Sequence, residues 1–325
     1  LNILITGGVG YIGGAVAQIL LERGHSVTVY DNLSHSELSM LPEGTAFEEG
    51  EVSDRKRLEE VLGAQSFSGV MHFAALIEAG ESMQKPELYF RNNTAATLSL
   101  LEAMLHKEVT RLVFSSTAAI YGEPDATPIP EDAALHPTNP YGESKLMVEQ
   151  MLTWMNRIHN LRYASLRYFN VAGAIPGRGE AHQPESHLIP RILDVALGRS
   201  KAIKIFGQDY PTPDGTCIRD YIHIEDLAEA HLLAFCALET RDRLIYNLGN
   251  GRGFTVREVV ESARRVTGHP IPVDEAPRRP GDPAVLVACA SKIGAELGWK
   301  PKHAELDDIV KSAWEWHRRR YGKQA

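Results

Sequence analysis

Cysteine is scarce in this sequence: Cys217, Cys236 and Cys289 are the three in 325 residues, 19 and 53 positions apart. No Cys-x-x-Cys pair or disulfide framework follows from that spacing, so each thiol is expected to be a small buried side chain in a reducing compartment. Positive charge is also in deficit. Against 42 Asp and Glu stand 34 Lys and Arg, a formal charge of -8, which argues against a nucleic-acid partner because backbone binding needs concentrated positive charge. Apolar runs fall short of the roughly 20 residues of a membrane span. The chain opens as a short strand and reaches glycine by Gly7, so no signal peptide is expected. Leu1 stands where an initiator Met is usual, consistent with an alternative start codon translated literally. The expected setting is cytoplasmic, without membrane attachment.

What is present is ordinary globular material, 43% hydrophobic and 23% charged, enough to bury a core without staples. Short apolar strands alternate with amphipathic helices. Asn2–Thr6, Ser26–Tyr30, Phe67–Phe73, Arg111–Ser115 and Tyr163–Tyr168 read as strands; 12–23, 93–105 and 144–159 carry helical spacing. That alternation predicts an α/β fold, a Rossmann-type doubly wound parallel sheet over about residues 1–170. Residues 171–325 form a smaller mixed α/β part, with some segments returning to the sheet. The stretch 171–190 has no clear period and reads as a binding loop. Helices follow at 188–198, 255–267 and 306–320, the last with Trp314 and Trp316 on opposite sides, at least one of them packed inward.

Gly7-x-x-Gly10-x-x-Gly13 lies between the first strand and first helix. Glycine there permits a tight turn and close backbone approach to a diphosphate, which the helix N-terminus meets with oriented amides. Asp31 ends the second strand, placed to accept hydrogen bonds from adenosine ribose hydroxyls. Its carboxylate would repel a 2'-phosphate, which favours NAD over NADP. Further along, Tyr141-Gly-Glu-Ser-Lys145 sets Tyr and Lys one helical turn apart on one face. A tyrosine is a poor base at neutral pH unless neighbouring cations stabilise its phenolate; Lys145 and a nicotinamide cation would do so. Lys145 is also placed to hold the nicotinamide ribose. Ser115-Ser-Thr117 closes a parallel strand at its ligand-facing end; Thr117 suits the reacting oxygen and Ser115 the cofactor.

With these residues the chain resembles the UDP-glucose 4-epimerases of the extended short-chain dehydrogenase/reductase superfamily. Matching segments include His72-Phe-Ala-Ala75, Gly80-Glu-Ser82, Asn92-Asn93, Phe114–Gly122, Leu166–Asn170, Gly215–Ala228, Tyr246–Gly249 and Arg278–Pro283, so the likeness spans essentially the whole chain. The resemblance implies NAD as cofactor, held by Gly7, Gly10, Tyr11, Ile12, Gly13, Asp31, Asn32, Glu51, Val52, Phe73, Ala74, Ala75, Asn92, Ser115, Tyr141, Lys145 and Tyr168. Glu51 stands where the family usually places an adenine-contacting Asp. UDP-glucose and UDP-galactose are the implied substrates, with Asn170, His187, Arg219 and Arg279 near the diphosphate and Leu188 and Phe206 beside the uracil. Asp282 would hold the uridine ribose. Catalysis falls to Tyr141, Lys145 and Thr117: C4 of the sugar is oxidised, the 4-keto sugar turns over, and hydride returns to the other face. A homodimer through helices near 98–105 and 147–154 is also implied.

Two departures stand out. Ile77 replaces a lysine found in some members, which bears on cofactor retention, and Leu286 replaces a bulky tyrosine, which opens the pocket toward N-acetylated sugars. Thr117 is followed by two alanines rather than the Asp–Glu pair of a 4,6-dehydratase, so dehydration is disfavoured. UDP-glucuronate and UDP-pentose epimerisation stay open, as does a non-catalytic sugar-nucleotide binder. No metal is expected. His182-x-x-Glu185-x-His187 matches no helical zinc spacing.

Overall fold

The structure, a computed structural model, describes residues 1–182, 184–279 and 282–322. Six parallel strands come from the first half: β1 (Asn2–Thr6), β2 (Ser26–Asp31), β3 (Ala46–Glu49), β4 (Gly69–His72), β5 (Arg111–Thr117) and β6 (Arg162–Tyr168). They lie in the order β3-β2-β1-β4-β5-β6, and the strand Arg243–Leu248 adds a seventh, parallel, beside β6. Strand order reverses between β1 and β4, and ligands of open α/β sheets bind outside that switch point.

Alternation along β1 divides the core. Ile3 and Ile5 face a cluster filled by Ala15, Val16 and Ile19 of α1 (Tyr11–Glu22) and by Leu227 and Phe235 of the helix Ile224–Ala237. Leu4 faces the other side, where Leu58 and Leu62 of α2 (Arg55–Ala64), Leu100 and Met104 of Ala96–His106, and Val148 and Leu152 of Pro140–His159 pack. A separate core joins Ile192, Ile203, Val259 and Ile309 in the C-terminal part. The long apolar-sided helix Pro140–His159 begins where Asn139 accepts from the Gly142 amide at 2.9 Å and Pro140 occupies the first turn, and it stops at left-handed Asn160.

The 93–105 helix of the sequence reading is preceded by a wide π-helical turn, Phe90–Ala95. The stretch 171–190 contains short strands, Asn170–Ala172, Ala174–Ile175 and Arg178–Gly179, too brief to leave a period. Cysteine burial needs correcting: Cys217 is buried, but Cys236 is exposed and Cys289 half-buried, because the outward face of Ile224–Ala237 carries Cys236. Trp314 is buried, and Trp316 also turns inward, giving its indole N–H to the Glu180 carbonyl at 3.1 Å. Among the described residues no helix is long and apolar enough to cross a membrane.

One buried ion pair ties these layers together. Arg167 on β6 donates from Nε and Nη2 to the two oxygens of Glu149 at 3.0 and 2.6 Å, and Ser116 on β5 donates to the same carboxylate at 2.6 Å. Burial lowers the Arg167 pKa, but Glu149 outweighs it and holds the guanidinium above its usual range. Removing one partner strands the other charge in the core. Glu149→Ala is expected to cost about 3–5 kcal/mol of stability, read as a fall in the urea midpoint; an unchanged midpoint would show that the pair is dispensable.

Candidate functional site

The turn after β1 is shaped by backbone proximity. Gly7 has φ +70°, and a Cβ there would lie 2.6 Å from the Ala74 nitrogen. Gly13 lies so close to the Gly7 carbonyl that any side chain would collide with it. The ends of β1 and β4 therefore approach through main chain alone, while Gly10 faces open space with nothing nearer than 3.4 Å to an added Cβ. The Val9 amide donates to Asp31 Oδ2 at 3.1 Å, and Asp31 Oδ1 accepts from the Leu33 amide at 2.9 Å. Asn32 Nδ2 holds Glu51 at 3.0 Å.

A cavity of about 500 Å³ runs from this turn over the strand ends to Ser115, Thr117, Tyr141 and Lys145, and every residue expected to hold cofactor lines it. A second cavity, about 870 Å³, contains Leu188, Phe206, Arg219, Arg279, Asp282 and Leu286. Asn170 and His187 line both, so the two adjoin. Substrate candidates Thr117 and Tyr141 belong to the wall of the first. Pro280 and Gly281 of the Arg278–Pro283 segment lie outside the described residues.

Tyr141 lies in the first turn of its helix and shares the wall of the first cavity with Thr117. Burial raises the phenol above its usual pKa, the Thr117 bond lowers it, and the Glu78 carboxylate raises it further. Lys145 stands one turn further along the same helix. Its Nζ donates to the Ser115 carbonyl at 2.9 Å and lies 4.9 Å over the Phe114 ring. Burial pushes the Lys145 pKa down to about 7. Ser115 Oγ bonds the Tyr168 hydroxyl, so both expected cofactor contacts currently engage each other.

The second cavity is likewise self-satisfied. Arg219 pairs with Asp282, and the Arg279 guanidinium stacks 4.0 Å above the Phe206 ring centroid. The acidic–histidine group at the junction consists of Glu180, Glu185 and His187 rather than the triplet with His182. His187 Nδ1 meets Glu185 at 2.8 Å and His182 Nδ1 meets Glu180 at 2.7 Å. Burial lowers the His187 pKa, yet Glu185, Glu180 and Glu78 together carry it to about 9.

Sequence reasoning missed two neighbours. Asn93, not only Asn92, shapes the site: its amide brackets the Leu76 backbone with two 2.9 Å bonds and donates to Ser144 Oγ at 3.1 Å. It so fixes the segment after β4 against the Tyr141 helix, and the π-helical turn aims it inward. Glu78 lines the second cavity and accepts from Ser186 Oγ at 2.9 Å. A carboxylate in an otherwise apolar Leu-Ile-Glu-Ala run was the available signal.

Comparison with known proteins follows from this geometry. Residues 3–249 match the model of the NAD dependent epimerase/dehydratase family. The chain belongs to that family. A UDP-glucose 4-epimerase of Streptomyces lividans is 56% identical over 315 residues, 97% of this chain and 95% of the relative. A crystal structure of UDP-glucose 4-epimerase superposes with TM-score 0.96 at 48% identity over 100% of both chains. A third, from Stenotrophomonas maltophila with bound NAD and formylated UDP-arabinopyranose, gives TM-score 0.95 at 40% identity over 98% of each chain.

Lys145 gives the site a pH signature. Its pKa in the fold, about 7, lies below the unfolded value, so between the two the unfolded chain binds more protons and stability rises with pH. The penalty is full below pH 7 and gone near the unfolded pKa; at neutral pH it is about 4 kcal/mol. In protein stripped of nucleotide, Lys145→Met should raise the thermal midpoint at pH 7, with the gain shrinking toward pH 10. An equal effect at both pH values would refute the buried-ammonium account.

Proposed function

We propose that this chain is a UDP-glucose 4-epimerase, interconverting UDP-galactose and UDP-glucose with NAD. The observation that carries the reading is the pair of adjoining cavities, one running from the glycine-rich turn to Tyr141, the other bearing Arg219 and Arg279. A dinucleotide fits the first: tight main-chain packing at Gly7 and Gly13 shapes the turn, Gly10 is clear of neighbours to 3.4 Å and leaves room for a diphosphate against the α1 amides, and Asp31 suits ribose hydroxyls.

When bound, NAD supplies the hydride acceptor and donor for C4. Tyr141 moves the O4 proton, directly or through Thr117, and Lys145 holds the nicotinamide ribose and favours the phenolate once a second cation is near. Arg219 and Arg279 hold the substrate diphosphate by charge-assisted bonds, with Asn170 and the His187–Leu188 backbone beside them. Asp282 exchanges its arginine partner for the uridine ribose. Phe206 and Leu188 give the uracil apolar surfaces. Firm anchoring of the nucleotide leaves the sugar free to present either face. We place the boundary between the cofactor-binding and substrate-binding parts near residue 170.

Leu286 lines the second cavity and supports a second reading in which UDP-N-acetylglucosamine is also turned over. Leu98 and Met147, and the more exposed Trp154 and Ile158, lie on neighbouring helices, an apolar face suited to an isologous homodimer.

Chromatography after incubation with each UDP-sugar tests the assignment. UDP-galactose and UDP-glucose should interconvert, and Tyr141→Phe should cut kcat roughly 10²- to 10⁴-fold; turnover confined to UDP-glucuronate or UDP-xylose would sink the hexose reading. Trp154→Glu should shift the protein from dimer to monomer in light scattering, and an already monomeric parent would dispose of the dimer.

A further inference from the structure

A buried arginine without an acidic partner lies behind the glycine-rich turn. Arg178, on the two-residue strand Arg178–Gly179, is 4% exposed. Its guanidinium packs on Gly14 of α1, where any Cβ would strike it. Nη1 lies 3.5 Å from the Val9 carbonyl oxygen and Nη2 donates to the Met40 carbonyl. Nε has no partner. Burial alone pushes its pKa down, to about 10, with no carboxylate opposing the shift. Arg167 makes the contrast: it is equally buried, yet its Nε and Nη2 both donate to Glu149.

A cation taken out of water without a counter-charge destabilises the fold that holds it. The carbonyl that Nη1 faces belongs to the residue whose amide engages Asp31, inside the turn that borders the first cavity. Gly10, beside Val9, and the first residues of α1 line that cavity. A diphosphate seated on those amides would bring negative charge to the opposite side of the same turn. Ile77 offers no cation on the cavity wall.

We infer that Arg178 binds the dinucleotide diphosphate electrostatically from behind the glycine-rich turn, its buried charge being compensated when the cofactor is in place. The inference rests on the NAD-dependent reading and deepens it, because it assigns part of the cofactor affinity to a residue outside the cavity wall. Arg178 acts through the turn and touches no reacting atom, so it is a positioning residue.

The test uses the full chain, dialysed extensively, as the parent and as Arg178→Met, Arg178→Gln and Arg178→Lys. NAD affinity is measured by calorimetry and the thermal midpoint is followed across an NAD titration. Two opposite effects are expected. Without added NAD, Arg178→Met melts at or above the parent temperature, while its NAD affinity falls roughly tenfold or more and its midpoint gains less from saturating NAD. Arg178→Gln, which keeps a donor for Met40 but no charge, loses affinity similarly, and Arg178→Lys retains most of it. A lower NAD-free midpoint with parental NAD affinity in the Met and Gln variants would overturn the inference and leave Arg178 a packing residue. If Met fails to fold, parental affinity in Gln alone has the same force. A parent that binds no NAD at all would overturn the cofactor reading itself, a result distinct from parental affinity in the variants.

Discussion

Two opposite charges buried side by side, Glu149 and Arg167, set the relation between the helix that carries Tyr141 and Lys145 and the sheet beneath it. Glu149 lies eight residues after Tyr141 and four after Lys145 on Pro140–His159, and Arg167 immediately precedes Tyr168 on β6. A third edge of the guanidinium meets the Tyr121 hydroxyl at 2.8 Å, which donates to Asn247 at 2.7 Å. Burying this pair requires near-complete hydrogen bonding, and that requirement leaves helix, β5, β6 and the Arg243–Leu248 strand little freedom to slide. The height of Tyr141 above Thr117 follows from it.

The protein answers its own charges in three ways. Arg219 and Asp282 neutralise each other, Lys145 gives up part of its proton affinity, and His187 keeps its proton between glutamates. An anionic ligand entering these cavities meets groups that already have internal partners. Binding therefore swaps partners more than it fills empty positions, and its selectivity lies in how well phosphates and ribose replace the internal ones.

Regular spacing made much of this legible in the sequence. The glycine turn sits between a strand and a helix, and Tyr141 and Lys145 share a helix face because four residues make nearly one turn. Alternation of strands and helices announced the parallel sheet. The segment 171–190 resisted, since its strands of two or three residues draw partners from far away; His223 and Ser312, for example, crowd Gly173. Which of Asn92 and Asn93 turns inward depends on a wide helical turn that leaves no periodic trace. Arg178 leaves no signal in the sequence, because burial of a single side chain is decided by tertiary packing. The direction of the Lys145 ammonium was hidden for the same reason.

Membership of Arg243–Leu248 in the main sheet reaches beyond the site. Its partner β6 ends at residue 168, so during synthesis the edge of β6 stays uncovered until some eighty further residues have emerged. An uncovered parallel edge invites wrong pairing, and non-local strands are slow to arrive. Asn247 meanwhile supplies the Tyr121 partner and takes the Ile129 carbonyl at 2.8 Å. Nascent chains shorter than this strand therefore carry an open sheet flank and an incomplete polar network, the stage at which a chaperone would have most to protect.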